Sequence, residues 1–278
     1  MSQTTPPQTA PAEAGTRGYA AVNGLQMYHE VHGSGQPLVL LHGALSAIGT
    51  SFGKLLPPLA ETRQVIAVEQ QAHGRTADID RPLTVAQMAD DTAALLRQLA
   101  IGQADLFGYS LGAAIALQLA MQHPELVRKL VLVSVSYSRD GLHPGLLEGI
   151  EAMKPEDLAG SPWQEEYARI APNPQDWPTL VAKNRQLDLE LDGWPAEAVR
   201  AVTAPTLLVF GDSDIIRPEH AVAMFRLLGG GVAGDMVGMP RSQLAVLPGT
   251  SHVTVVDRAG WLVPMVAAFL DAPVPAAG

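Results

Sequence analysis

The chain has 278 residues, 47% of them hydrophobic, enough to bury a full core in one large domain or two small ones. Its formal net charge of −10 repels phosphate backbones and anionic lipid, which counts against nucleic acid or a membrane surface as partner. Cysteine is absent, so disulfides, thiolate nucleophiles and thiolate-held metals are excluded, and no cofactor or metal is expected.

Residues 1–18 are expected to form a disordered tail, because Met1–Thr16 carries no Lys or Arg and no apolar run and is rich in Pro and Thr. No later stretch reaches the ~18 apolar residues of a membrane span, so a soluble, cytoplasmic protein is expected. Tyr19–Val22 and Leu25–Val31, around Asn23-Gly24, predict a hairpin at an antiparallel sheet edge. Short apolar runs follow at Leu38–Leu41, Val65–Val68, Leu106–Phe107, Leu130–Val135 and Thr206–Phe210, as in strands buried on both faces. Between them Thr84–Leu99 and Leu111–Gln122 have helical periodicity. Strand alternating with helix predicts an α/β fold: a mostly parallel central sheet flanked by helices.

Residues 138–202 break the pattern, with recurrent proline, no strong strand and three of the four tryptophans. They are read as an inserted helical cap anchored by Trp163, Tyr167, Trp177 and Trp194, dividing a core of residues 19–137 and 203–278. A cap over the core must line part of any pocket, so Trp163, Trp177 and Trp194 are candidate substrate contacts.

Gly108-Tyr109-Ser110-Leu111-Gly112 falls between a short strand and an alanine-rich helix. A serine on so sharp a turn is lifted clear of the sheet, and the glycines remove Cβ atoms that would collide. The helix starting at Leu111 aims free N–H groups at an oxyanion beside the serine. Tyr109, next to this nucleophile candidate, is a further candidate substrate contact. A base and an acid must then follow. Gly211-Asp212-Ser213-Asp214 ends one apolar strand, and His252, 38 residues beyond Asp214, follows the run Leu244–Leu247.

In these motifs the sequence resembles the α/β-hydrolase family from about Tyr19 to Leu270. Leu40-Leu41-His42-Gly43-Ala44 is similar to its oxyanion loop. Glu69–Thr76 is similar to its Asp-x-x-Gly-His-Gly-x-Ser loop, departing at Glu69, Ala72 and Thr76. The resemblance implies a triad of Ser110, Asp214 and His252, the acid being the second aspartate, while Asp212 hydrogen-bonds loop backbone. It also implies an oxyanion hole from the backbone N–H groups of Ala44 and Leu111. The gap between Asp214 and His252 is longer than the family's, and an enlarged surface loop is expected at Gly229–Arg241. Relatives that cleave carbon–halogen bonds carry Asp at the elbow and dienelactone hydrolases carry Cys, so Ser110 counts against both reactions.

The function expected is hydrolysis of an ester-type bond in a small, largely uncharged molecule through an acyl-serine. Lactonase, carbon–carbon hydrolase and perhydrolase chemistry use the same triad, and a non-catalytic small-molecule receptor is the reading of another class. The sequence leaves monomer and homodimer open. His220 is expected to be solvated or a helix cap, His42 and His73 to be satisfied by backbone around the site, and Arg75 to pair with a loop carboxylate.

Overall fold

The computed structural model describes residues 15–274. Eight strands are β1 (Thr16–Val22), β2 (Leu25–His32), β3 (Gln36–Leu41), β4 (Arg63–Val68), β5 (Ala104–Tyr109), β6 (Val127–Val133), β7 (Thr206–Ser213) and β8 (Gln243–Ser251). They form one sheet in the order β1-β2-β4-β3-β5-β6-β7-β8. The first two strands are antiparallel to their neighbours and the rest run parallel.

The β1–β2 hairpin turns at Asn23 and Gly24, both with positive φ, the backbone that a two-residue hairpin needs and that these residues tolerate. Pairing runs without a break from Val22↔Leu25 to Thr16↔Val31. Thr16, Arg17 and Gly18, expected in the tail, are therefore strand. The absence of any apolar side chain among them conceals it, but the free edge of β2 offers the backbone a ladder that composition does not report. Of the rest of the expected tail, residues 1–14 lie outside the described residues.

Alternate residues of each central strand enter different cores. Val39, Leu41, Ile66, Val68, Leu106 and Leu130 belong to one apolar cluster; Leu38, Leu40, Val65, Ala67, Phe107 and Val131 belong to the other. Side chains alternate across a strand, so covering both faces turns a period-2 pattern into the continuous apolar runs of the sequence.

The helices ahead of the cap are α1 (Ile48–Phe52), α2 (Leu56–Ala60), α3 (Val85–Gln98) and α4 (Leu111–Gln122). The Thr84 hydroxyl caps α3 by accepting from the Gln87 N–H at 3.2 Å. Helix α4 is buried over most of its surface, and its small residues let it lie close to the sheet. A Cβ on Gly112 would overlap the Leu41 carbonyl. Gly112→Ala is expected to cost about 2–3 kcal/mol by forcing α4 off the sheet, read as a fall in the urea midpoint at unchanged m.

Between β6 and β7 the chain forms α5 (Leu146–Ala152), α6 (Pro162–Ile170), α7 (Trp177–Glu190) and α8 (Ala196–Arg200), with a lone bridge from Ser138 to Gly193. The remaining helices are α9 (Pro218–Leu227), α10 (Gly234–Val237) and α11 (Ala259–Asp271). In the long segment before β8, α10 is a single turn whose surroundings expose Met236, Val237 and Met239. Among the described residues no helix is long and apolar enough to cross a membrane.

Candidate active site

Ser110 sits between β5 and α4 with φ 53° and ψ −118°, a conformation that costs a non-glycine residue about 1–3 kcal/mol. The surroundings hold it there. Its N–H donates to the Val133 carbonyl at 2.9 Å, and its carbonyl accepts from the N–H groups of Ala113 and Ala114. A Cβ on Gly108 would overlap the α4 backbone at Gly112 and Ala113, so the elbow needs both glycines.

Two further strand ends bring up the partners. Ser110 Oγ lies 2.9 Å from His252 Nε2, and His252 Nδ1 lies 2.9 Å from Asp214 Oδ1. The other Asp214 oxygen accepts from the Ser134 hydroxyl and from the Gly211 N–H, and the Ile216 N–H reaches Oδ1 at 3.3 Å. Burial works against ionisation of Asp214, but the His252 hydrogen bond and charge, with Ser134 and Gly211, hold its carboxyl below the usual range. Asp212 instead accepts from the Gly249 and Thr250 N–H groups at 2.9 and 3.2 Å, tying the β7 loop to the loop that carries His252. Tyr109 fastens the same loop by donating its hydroxyl to the His252 carbonyl at 3.0 Å.

Ser110 and His252 open into a cavity of about 290 Å³ between the sheet and the cap. Gly43, Ala44 and Leu111 line it beside the serine, while Leu142, Leu146, Ile150 and Ile215 supply aliphatic wall. A Cβ on Gly43 would come within 2.9 Å of the Tyr109 ring, so only glycine lets the β3 loop approach Ser110 so closely. The model of the "Alpha/beta hydrolase family" matches residues 38–264. This chain belongs to the α/β-hydrolase family.

Among relatives, the chain is 31% identical over 203 residues to a pimeloyl-[acyl-carrier protein] methyl ester esterase of Neisseria meningitidis, covering 65% of this chain and 76% of that one. It is 26% identical over 229 residues to a pyrrolizixenacetamide deacetylase of Xenorhabdus hominickii, covering 75% and 85%. The solved structure of an E-2-(acetamidomethylene)succinate hydrolase superposes with a TM-score of 0.74 at 24% identity, over 93% of this chain and all of the other, and shows the shared fold. The protein is thus a hydrolase of the α/β fold.

Of the four aromatic residues expected at the substrate, Tyr109 and Trp163 line the cavity of this α/β hydrolase. Trp177 and Trp194 do not, and that expectation is corrected. Trp177 is buried with Tyr167, Leu180 and Val181 where the cap meets Ala72, and Trp194 donates its indole N–H to Gln118 of α4. Both sit at the seam between cap and core, where a large ring is worth more as packing than as a contact. His220 is also corrected: it is buried, its Nε2 lies 2.9 Å from the Ser136 hydroxyl and accepts from the Tyr137 N–H, and its ring stacks on Tyr137. Arg75 pairs with Glu69 at 2.8 Å.

Sequence reasoning missed Ser134, Arg139 and Asp188. Ser134 lies in the left-handed region at φ 56° directly after β6, which turns its hydroxyl to Asp214; nothing in the motif flags it. Arg139 and Asp188 lie on the cavity wall, and in the sequence they read as ordinary charged residues of a polar insertion.

His42 and His73 fix the loops beneath the site as neutral rings. His42 Nδ1–H donates to the Gly43 carbonyl and Nε2 accepts from the Gln70 N–H; His73 Nδ1–H donates to the Gln71 carbonyl and Nε2 faces the Asn184 amide. Burial lowers His42 to about 3, with the charge of His73 adding to it, and burial lowers His73 to about 4. The unfolded chain takes up these protons near 6.5, so between 6.5 and about 4 it binds more protons than the fold, and stability falls as pH falls. Glu69, raised by burial to about 7, acts oppositely: the fold holds its proton longer than the unfolded chain, so its share declines as pH rises from 4.5 to 7. His73→Gln is expected to flatten the loss of stability between pH 6.5 and 4, read from urea midpoints at both pH values.

Proposed function

We propose that this protein is a serine hydrolase that cleaves a carboxylic ester bond of a small, largely apolar molecule through an acyl-serine intermediate. The observation that carries the reading is the continuous hydrogen-bonded chain Ser110–His252–Asp214 at the floor of a mainly aliphatic cavity. His252 Nε2 takes the proton of Ser110 as Oγ bonds to the ester carbonyl carbon, and Asp214 stabilises the imidazolium. The negative oxygen of the tetrahedral intermediate lies against the N–H groups of Ala44 and Leu111, each worth about 3 kcal/mol to the transition state. The imidazolium then protonates the departing alcohol. Water, deprotonated by His252, attacks the acyl-serine and frees the acid and Ser110.

The strained backbone at Ser110 supports an enzyme over a receptor, since a pocket that only bound its ligand has no use for a serine held at that cost. The cavity volume, at the low end of the ~300–1,000 Å³ of small-molecule sites, supports a compact substrate. A lactone would follow the same steps with its alcohol still tethered to the acyl group. Hydrolysis of p-nitrophenyl esters from acetate to decanoate tests the reading. Turnover is expected to peak at short to medium acyl length and to exceed that of the matching p-nitroanilides and lactones. Absence of turnover across the ester series, with turnover of an anilide or a lactone, would overturn the ester assignment.

A further inference from the structure

Asp188 has no part in the chemistry above, yet it stands on the cavity wall with Ser110 and His252. It follows Leu187 on the face of α7 that carries Leu180, Asn184 and Leu187 inward, and Leu191 continues the wall one turn on. An aliphatic residue there would complete the apolar wall. The fully buried carboxylates among the described residues are hydrogen-bonded, whereas Asp188 is half-buried and opens to the cavity. Asp91 accepts from Arg81, Gln87 and Asn23; Asp105 from Arg63 and Arg128; Glu69 from Arg75; Asp214 from four donors. Asp188 has no hydrogen bond among the described residues. Burial pushes its carboxyl up to about 6, and His252 supplies the opposing charge. Arg139, the arginine on the wall, is committed to the Leu189 and Leu191 carbonyls and to Asp192.

A carboxylate set into an apolar wall without a partner is costly in the free protein, and that cost is recovered by a ligand that brings a cation. We propose that Asp188 is a specificity residue that binds a protonated amine on the substrate, so the favoured substrates are apolar esters bearing an ammonium group within reach of the reacting carbonyl. This rests on the hydrolase reading and narrows it. The aliphatic walls hold the carbon skeleton and Asp188 sets which end of it is charged. A competing role is electrostatic support of the His252 imidazolium, which would raise turnover of every ester alike without favouring cations.

The test compares binding of hexylammonium and of its neutral counterpart 1-hexanol by calorimetry at pH 7.5, on the wild type, Asp188→Asn and Asp188→Leu. Hexylammonium is expected to bind the wild type about tenfold or more tightly than 1-hexanol, with the ratio near one in Asp188→Asn and inverted in Asp188→Leu. A wild-type ratio near one, or a preference that survives in either folded variant, would overturn the proposal. Turnover of p-nitrophenyl butyrate by the same wild-type preparation reports separately on the hydrolase reading. Its absence would count against that reading while the binding ratio still judges Asp188.

Discussion

Ser110→Ala is expected to lower kcat for a p-nitrophenyl ester by about four to six orders of magnitude while leaving the fold intact. Alanine removes one oxygen whose only hydrogen-bond partner among the described residues is His252 Nε2 at 2.9 Å, so little of the packing depends on it. The elbow geometry comes from backbone contacts of residue 110 to Val133, Ala113 and Ala114, and these survive the change. The remaining rate would come from binding and the oxyanion donors, roughly 10³–10⁴ over water. Circular dichroism and the urea midpoint should match the wild type. A Ser110→Ala protein that retained a tenth of wild-type kcat would remove the nucleophile from the account.

The second large effect separates the two aspartates. Asp214→Asn is expected to cost about 10⁴-fold in kcat, because an amide facing His252 Nδ1 can present N–H and favour the wrong tautomer, and it cannot offset the imidazolium charge. Asp212→Asn is expected to cost less than about tenfold, since an amide oxygen still accepts from the Gly249 or Thr250 N–H and only loop order suffers. Stability should show the smaller contrast. Equal losses in the two variants would show that the acid had been placed on the wrong member of the loop.

The sheet was legible in the sequence because its central strands are buried on both faces. Val39 and Leu40 enter opposite cores, so both had to be apolar, and the run Leu38–Leu41 follows. The start of β1 was hidden for the opposite reason, since Thr16, Arg17 and Gly18 hold their place by backbone pairing to Val31, Glu30 and His29. The elbow was legible because steric demand at Gly108 and Gly112 writes itself into residue type. Tertiary partners leave no such mark. Ser134 reaches Asp214 across 80 residues, and Trp177 and Trp194 look like pocket aromatics until their packing at the cap seam is known. Asp188 was invisible because an aspartate in a polar helix is ordinarily solvated; only the fold places it on the wall of a cavity.

The most direct test of the central claim is to trap the acyl-enzyme. Wild type mixed with p-nitrophenyl butyrate and quenched in acid within the first turnovers is digested, and its peptides are weighed. The account predicts one butyryl group on the peptide that contains Ser110, absent from the Ser110→Ala protein. Rapid turnover with no acylated peptide, or butyryl carried on another residue, would contradict it.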